Sequence, residues 1–214
     1  MENLLKNELF SHVTTEELEK MIPCFQMKRH SFTEKEIIPT TQGEKNYICL
    51  LLSGTVSVNR ISMDGSLDLL EYLEETGVFG AAFAFANQED AFVTICEKDC
   101  TVLFIEKHHI SKRCENACPH HTQVAENMLR LMGNKVVSLT EKVDILSHRS
   151  IRGKLMSYFR IQSTKAGALS FPLPFSLLKL ANYLCIDRSA MMREIKKMKE
   201  EGLITIEGKT VTLA

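Results

Sequence analysis

The chain has 214 residues, enough for one large domain or two modest ones, and its 44% hydrophobic and 25% charged residues exclude a chain that is disordered throughout. Its N-terminus is too acidic for a signal peptide, and its longest apolar stretch, 78–86, is too short to cross a bilayer. Seven cysteines without secretory context read as reduced thiols. We therefore expect a cytoplasmic protein with no membrane partner.

Short strands dominate the first half of the chain. A helix is predicted over 14–21, with Thr14 or Thr15 as its N-cap and Glu17 in its first turn. Strand-like runs separated by turns follow at 47–52, 55–61, 67–73, 92–96 and 101–105. Short strands at near-regular spacing predict an antiparallel sandwich or barrel.

A long helix with a heptad pattern is predicted next, over 119–147. Its apolar residues are separated by alternating steps of four and three: Ala125, Leu129, Met132, Val136, Leu139, Val143 and Leu146. A seam of about three heptads is typical of a coiled coil, and we interpret it as a parallel dimer interface. The alternative is an amphipathic helix that packs on its own domain.

Two short helices and a strand hairpin are predicted at the C-terminus. Ser176 and Asp187 are suited to cap the helices, because their side chains can accept the unpaired amides of a first turn. Gly202 would end the second helix, and strands 203–206 and 210–213 would flank a turn at 207–209. Together these features predict a winged helix-turn-helix.

Charge and exposure in this segment predict double-stranded DNA as the partner. Residues 148–214 hold 12 Lys+Arg and 5 Asp+Glu (net +7), whereas 1–147 hold 14 and 22 (net −8). DNA affinity comes largely from phosphate neutralisation, so the asymmetry matters more than the overall charge of −1. The residues expected to contact DNA are Ser176 at a phosphate, and Arg188, Ser189, Met192 and Arg193 on the second helix.

The order of these elements resembles the Crp/Fnr superfamily of bacterial transcription regulators. The resemblance is carried by GEKNYICLLLSGTVSVNR (43–60), YLEETGVFG (72–80) and IDRSAMMREIKKMKEEGLI (186–204). Residues 113–159 are similar to a subgroup common in anaerobic Firmicutes. One departure is Cys185, which replaces the usual Gly in the turn of the helix-turn-helix.

The resemblance implies an α+β fold in three parts. These are a double-stranded β-helix (a jelly roll like cyclic-nucleotide-binding domains) over 1–118, a dimerisation helix and hinge over 119–147, and a winged helix-turn-helix over 148–214. The hinge is expected around 147–153, where Gly153 would supply backbone freedom. The implied protein is a homodimer that binds a palindromic DNA site, contacts RNA polymerase and is not an enzyme.

The phosphate cassette of the cyclic-nucleotide-binding members is altered. Their Gly-Glu-(Leu/Ala) and Arg-(Ser/Thr/Ala) align here with Gly80-Ala81-Ala82 and Asp90-Ala91, and no arginine lies between Arg60 and Arg113. A carboxylate would repel the phosphate that an arginine should attract. We therefore expect an unknown small effector other than cyclic AMP, in a pocket that includes Gly80, Ala81, Ala82, Phe83, Asp90 and Ala91. The alternative is a pocket filled by Phe83, Phe85 and Phe92, which would make the regulator independent of an effector.

Cysteines and histidines cluster in KHHISKRCENACPHHTQ (107–123). Thiolate and imidazole suit zinc, iron–sulfur clusters or haem, so a metal, haem or thiol redox sensor using Cys114, Cys118 and His121 is an alternative function. A single Cys-x₃-Cys without a matching second pair favours a structural role instead. An enzyme or metal-binding protein that reuses the β-roll is the remaining rival, although no catalytic constellation or phosphate loop supports it.

Overall fold

The computed structural model describes residues 2–42, 44–86, 92–111 and 119–214. Its helices are α1 (Glu2–Leu5), α2 (Thr15–Phe25), α3 (Ala81–Ala86), α4 (Lys107–Ser111), α5 (Pro119–Ser147), α6 (Ile151–Ala166), α7 (Leu177–Tyr183) and α8 (Arg188–Glu200), with a 3₁₀ helix at Glu8–Phe10. Its strands are β1 (Lys28–Phe32), β2 (Ile37–Ile38), β3 (Thr41–Gln42), β4 (Lys45–Ile61), β5 (Leu67–Leu73), β6 (Val78–Phe79), β7 (Phe92–Glu106), β8 (Ser170–Pro172), β9 (Ile204–Glu207) and β10 (Thr210–Leu213).

The chain divides into two compact units, 1–134 and 135–214, and the division falls within α5. The sequence-based boundaries at 118 and 147 stay predictions. Helix α5 itself has the predicted bounds, Pro119–Ser147. Within the described ranges, none of the helices combines the length and the apolar character that crossing a membrane requires.

Two long strands form the centre of the first unit. Strand β4 pairs antiparallel with β7 from Tyr47–Glu106 to Arg60–Phe92, and β4 also pairs with β3, β5 and β6 while β7 pairs with β1 and β2. The sequence predicted a break at Ser53-Gly54, but β4 continues through it with register shifts of the kind that bulges cause. Gly54 is required there, since its φ is +84° and a Cβ would lie 2.2 Å from the Asp99 carbonyl oxygen. The predicted antiparallel β architecture is confirmed. The five predicted runs lie on three strands, β4, β5 and β7, and the sheet has four further short strands, β1, β2, β3 and β6.

Both faces of β4 are buried, which explains its unbroken apolar run. Ile48, Leu50 and Leu52 face a core shared with α2, α4 and α5. The alternate residues Cys49 and Leu51 face a second core with β7. Because side chains alternate along a strand, a strand covered on both faces reads as a continuous hydrophobic run.

Specific hydrogen bonds hold the N-terminal segment. Thr14 Oγ1 accepts from the Glu17 amide (3.3 Å) and Glu17 Oε2 accepts from the Thr14 amide (2.8 Å), so the predicted cap of α2 is confirmed. Buried Asn127 of α5 donates through Nδ2 to the carbonyls of Leu9 (3.0 Å) and Ser11 (2.7 Å). This side chain therefore ties α5 to the 3₁₀ helix.

The second unit contains α6, α7, α8 and a three-stranded antiparallel sheet of order β8-β10-β9. The sequence analysis did not predict α6, whose Phe159 packs against Phe171 of β8 (ring centroids 6.3 Å apart). The Ser150 side chain caps α6 by accepting from the Gly153 amide at 3.0 Å. Gly153 lies in the first turn of this helix, and its role as a source of backbone freedom in a hinge stays a prediction.

Candidate nucleic-acid interface and effector segment

Two helices joined by a tight turn are positioned by their caps. Ser176 Oγ accepts from the Lys179 amide (3.3 Å) at the start of α7, and Asp187 Oδ1 accepts from the Ala190 amide (2.8 Å) at the start of α8. Both residues cap their helices as the sequence predicts. The Ser176 hydroxyl already has a partner within its own helix.

The turn between α7 and α8 has the geometry that usually selects glycine. The Ile186 amide donates to the Ala181 carbonyl (3.0 Å) and the Cys185 amide to the Asn182 carbonyl (3.1 Å), a Schellman pair. Cys185 has a φ of +52°, in the left-handed region, at a cost of about 1 kcal/mol for a residue with a side chain. The turn keeps its shape although the usual glycine is absent.

Helix α8 has one buried and one exposed face. Met191, Ile195 and Met198 are buried, as predicted. The residues on the exposed face at the N-terminal end are Arg188, Ser189, Met192 and Arg193, and even the apolar Met192 is 40% exposed. Neither arginine joins an ion pair with another residue of the described part of the chain.

Arg152 of α6 connects to the opposite end of α8. Its Nε donates to Glu194 (2.5 Å), and its Nη1 and Nη2 donate to the two carboxylate oxygens of Glu201 (2.7 and 2.8 Å). The bonds to Glu201 and then Glu194 raise the pKa of Arg152, and the same guanidinium lowers the pKa of Glu201. Setting these three aside leaves residues 148–214 with 11 Lys+Arg and 3 Asp+Glu, a net charge of +8.

The predicted effector segment lies at β6 and α3 in the first unit. Gly80 has a φ of +77°, and a Cβ there would lie 2.7 Å from the Tyr47 carbonyl oxygen. Ala81 is buried, and Phe83 stacks on Phe92 with ring centroids 4.1 Å apart. Phe85 is 39% exposed and so does not fill a core. The other predicted members, Asp90 and Ala91, lie outside the described residues.

The heptad seam of α5 divides into partly buried and exposed members. Ala125, Met132 and Leu146 are partly buried. The exposed members, with their exposed fractions, are Leu129 (73%), Val136 (62%), Leu139 (51%) and Val143 (67%). These four side chains are named the α5 stripe below.

The structure describes one of the three predicted metal ligands. Cys114 and Cys118 lie outside the described residues. His121 is buried and meets Phe25 edge-on at 5.0 Å between ring centroids. Burial, and secondarily the charge of His120, lower the pKa of His121, and its Nδ1 has no hydrogen-bond partner within the described ranges. The ring therefore packs as part of the core.

Comparison with known proteins finds a family match within the first unit. Residues 29–117 match the cyclic nucleotide-binding domain family. The matched range contains the central strands β4 and β7 and the segment around α3, which the sequence analysis singled out for an effector.

Proteins that are similar to most of this chain include named regulators. The chain is 22% identical to the global nitrogen regulator of Nostoc sp., over 96% of this chain and 90% of that protein. It is similar in fold to a CooA mutant from Carboxydothermus hydrogenoformans (TM-score 0.72, 17% identity, 99% and 89% of the two chains). It is also similar to a Crp/Fnr-family transcriptional regulator from Eubacterium rectale (TM-score 0.56, 16% identity, 94% and 90% of the two chains). The predicted resemblance to Crp/Fnr regulators is confirmed.

Two features of the sites were missed from the sequence. Arg152 was counted with the DNA-facing positive charge, although two carboxylates bind it. The seven-residue spacing of Glu194 and Glu201, which places both on one side of α8, was the available signal. The second feature is the grouping of Glu106 with His108 and His109, because the sequence analysis placed both histidines in its cysteine–histidine cluster but did not include Glu106.

Proposed function

We propose that the chain is a homodimeric, sequence-specific DNA-binding transcription regulator of the Crp/Fnr type. The exposed N-terminal end of α8 carries this proposal. Its two arginines lack internal ion-pair partners in the described chain, whereas Arg152 has two. A helix that is core on one face and cationic on the other, in a segment of positive net charge, suits the major groove of DNA.

Three of the exposed residues of α8, Arg188, Ser189 and Arg193, have proposed roles. Arg188, in the first turn, donates two hydrogen bonds to guanine O6 and N7, the commonest base-specific contact of arginine. Ser189 adds a hydrogen bond, and Arg193 reaches a base edge or a phosphate. The β9–β10 turn at Gly208 serves as the wing of a winged helix-turn-helix. A phosphate contact by Ser176 stays a prediction: its hydroxyl oxygen accepts from the Lys179 amide, and its O–H can still donate to a phosphate.

The α5 stripe supports the homodimer. Four large apolar side chains exposed along one helix are the pattern of a coiled-coil seam without its partner. A parallel pair of α5 helices would impose two-fold symmetry. Two recognition helices would then lie about 34 Å apart and read a palindromic site. RNA polymerase is the further partner that we propose for such a regulator.

We propose a small effector other than cyclic AMP for the cyclic nucleotide-binding domain. The aligned cassette positions hold Ala81 and Asp90 where a ribose-binding Glu and a phosphate-binding Arg would stand, and the sequence offers no arginine between 60 and 113. The phosphate of a cyclic nucleotide would therefore have no arginine at this position to donate two hydrogen bonds to it.

The stack of Phe83 on Phe92 favours a second candidate, a regulator whose pocket is filled and which needs no effector. Titration of candidate ligands against DNA affinity separates the two. An effector changes the affinity of the first kind of protein and leaves the second unchanged.

The experiment that tests DNA recognition compares Arg188→Ala with the unsubstituted protein. The preferred site is first selected from random DNA, and affinities are then measured for that site and for random DNA at fixed salt. We expect Arg188→Ala to cost about 1–3 kcal/mol on the preferred site and little on random DNA. Arg160→Ala is the matched control, since Arg160 is an exposed arginine of α6, away from α8 in sequence.

Equal losses on both DNAs would contradict base readout by Arg188. Failure of the unsubstituted protein to bind any DNA more tightly than random sequence would overturn the proposed function.

A further inference from the structure

Two histidines and a carboxylate meet where the last strand of the cyclic nucleotide-binding domain ends. Glu106 is the final residue of β7, and His108 and His109 lie in α4, which follows without a break. Candidate ligand atoms of the three side chains all lie within 4.8 Å of one another. All three residues are half-buried, so they are partly shielded from water yet reachable by a small ion.

We propose that Glu106, His108 and His109 bind a divalent transition-metal ion. His108 Nδ1 lies 2.9 Å from Glu106 Oε1, and the two imidazole rings have centroids 3.9 Å apart. Consecutive residues on a helix normally point about 100° apart, so this convergence of neighbouring rings is a specific arrangement of the short α4 helix.

The donor set indicates the class of metal. Two imidazoles and one carboxylate suit Zn²⁺, Co²⁺ or Ni²⁺, whereas Mg²⁺ and Ca²⁺ prefer oxygen ligands. Ligands of one tetrahedral ion, each about 2.1 Å from it, lie roughly 3.4 Å apart. Closing the present distances of up to 4.8 Å requires small rotations of side chains that are partly exposed. Three protein ligands leave a fourth position open for water or another small ligand.

One cation competes for the same carboxylate. Lys45 Nζ lies 3.5 Å from Glu106 Oε2, and its side chain is 54% exposed, so the ammonium can withdraw into water when a metal binds. Lys107 lies between Glu106 and His108 in sequence, but its Nζ donates to the Ala84 carbonyl of α3 at 2.8 Å. That bond keeps a second positive charge engaged at α3, and it also links the metal-binding helix to the predicted effector segment.

The site differs from the one that the sequence predicted. Of the earlier ligand set, His121 is a core residue, and Cys114 and Cys118 lie outside the described residues. The proposal needs none of them. It is also independent of DNA binding, because it concerns metal affinity alone.

The test is an anaerobic titration of the full-length protein with Co²⁺, followed by visible absorbance and by equilibrium dialysis. We expect one equivalent of Co²⁺ to bind per chain. The visible absorbance should be that of Co²⁺ with nitrogen and oxygen ligands. Glu106→Gln and His109→Ala should each weaken binding roughly tenfold or more, since even the loss of a group that only hydrogen-bonds to a metal ligand has effects of that size. Circular dichroism and thermal unfolding check that these variants are folded. Glu106→Gln preserves size, so it keeps the test decisive if His109→Ala does not fold.

Two controls identify the ligands. His30→Ala removes a histidine of β1, in the same domain but outside the cluster, and should leave Co²⁺ binding unchanged. The double variant Cys114→Ser, Cys118→Ser should likewise bind Co²⁺ without change.

Three results would each overturn the proposal. The first is the absence of stoichiometric Co²⁺ binding, and the second is full binding by folded Glu106→Gln. The third is a thiolate charge-transfer band in the unsubstituted protein that is lost, together with Co²⁺ binding, in the cysteine variant.

Discussion

Val136→Glu is the sharpest perturbation of the α5 stripe. In a parallel dimer, Val136 would meet its own copy across the two-fold axis, because it occupies a core position of the heptad seam. The substitution places two carboxylates where two valines would pack. It should therefore dissociate the dimer and leave the fold of each chain intact, since Val136 is 62% exposed in the single chain.

The expected magnitude follows from the exposed surface. Burying what remains exposed of Val136, 62% of the residue, should contribute about 1 kcal/mol in each chain, hence about 2 kcal/mol per dimer. Repulsion between two facing carboxylates adds roughly 2–4 kcal/mol at the effective dielectric of a protein surface. The sum of about 4–6 kcal/mol corresponds to a dimer weakened roughly 10³–10⁴-fold.

Sedimentation equilibrium over a range of protein concentrations measures this change. Val137→Glu is the matched control, because Val137 is the same residue type, is 59% exposed and is the next residue along α5, off the stripe. We expect Val137→Glu to remain dimeric. Dissociation constants that differ by less than about tenfold between the two variants would refute the assignment of the α5 stripe as the dimer interface.

Three further predictions concern stability. Asn127→Leu removes the donor of two tertiary hydrogen bonds and should destabilise the first unit by about 2–4 kcal/mol. Peptide-resolved hydrogen exchange in urea should show this loss of stability in the first unit and not in 135–214. A change in the free energy of unfolding below about 0.5 kcal/mol would contradict this role of Asn127. Cys185→Gly removes the side chain that is strained by the left-handed φ of +52°, and should stabilise the second unit by about 0.5–1 kcal/mol. Denaturant titration measures this change, and an unchanged or lower unfolding midpoint would show that Cys185 is unstrained in the turn. Because the pKa of His121 is lowered in the folded state, the unfolded chain binds a proton at this imidazole more readily than the folded chain does. His121 therefore costs no stability above its unfolded pKa of about 6.5, and the free energy of unfolding decreases as the pH falls below that value. His121→Leu should lose less stability than the unsubstituted protein as the pH is lowered through that range, and identical pH profiles would exclude this contribution.

Local sequence signals predicted the C-terminal elements well. Ser176 and Asp187 cap their helices because each places an oxygen acceptor opposite the unpaired amides of a first turn, a relationship that spans three residues. The buried stripe of α8 follows equally from the helical period. Such features depend on near neighbours, so a single sequence contains the information for them.

Strand boundaries were predicted less well, because pairing overrode a local signal. Ser53-Gly54 is typical of a turn, and the sequence analysis ended one strand and began another there. In the structure β4 continues past it against β7, and Gly54 is needed because Asp99 approaches from the partner strand. The approach of a residue 45 positions away leaves no mark in the local pattern.

By itself, the sequence determined the order of elements, the helix caps, the heptad seam, the division of charge and the altered cassette, since each depends on residue type and short-range spacing. Tertiary structure alone decided the partners of Arg152 and the surroundings of His121. It bound Arg152 to Glu194 and Glu201, 42 and 49 residues away, and thereby separated one arginine from those left exposed on α8. It also made His121 a core residue. Side-chain chemistry is written in the sequence, but the distance between two side chains is set by the packing of the whole chain.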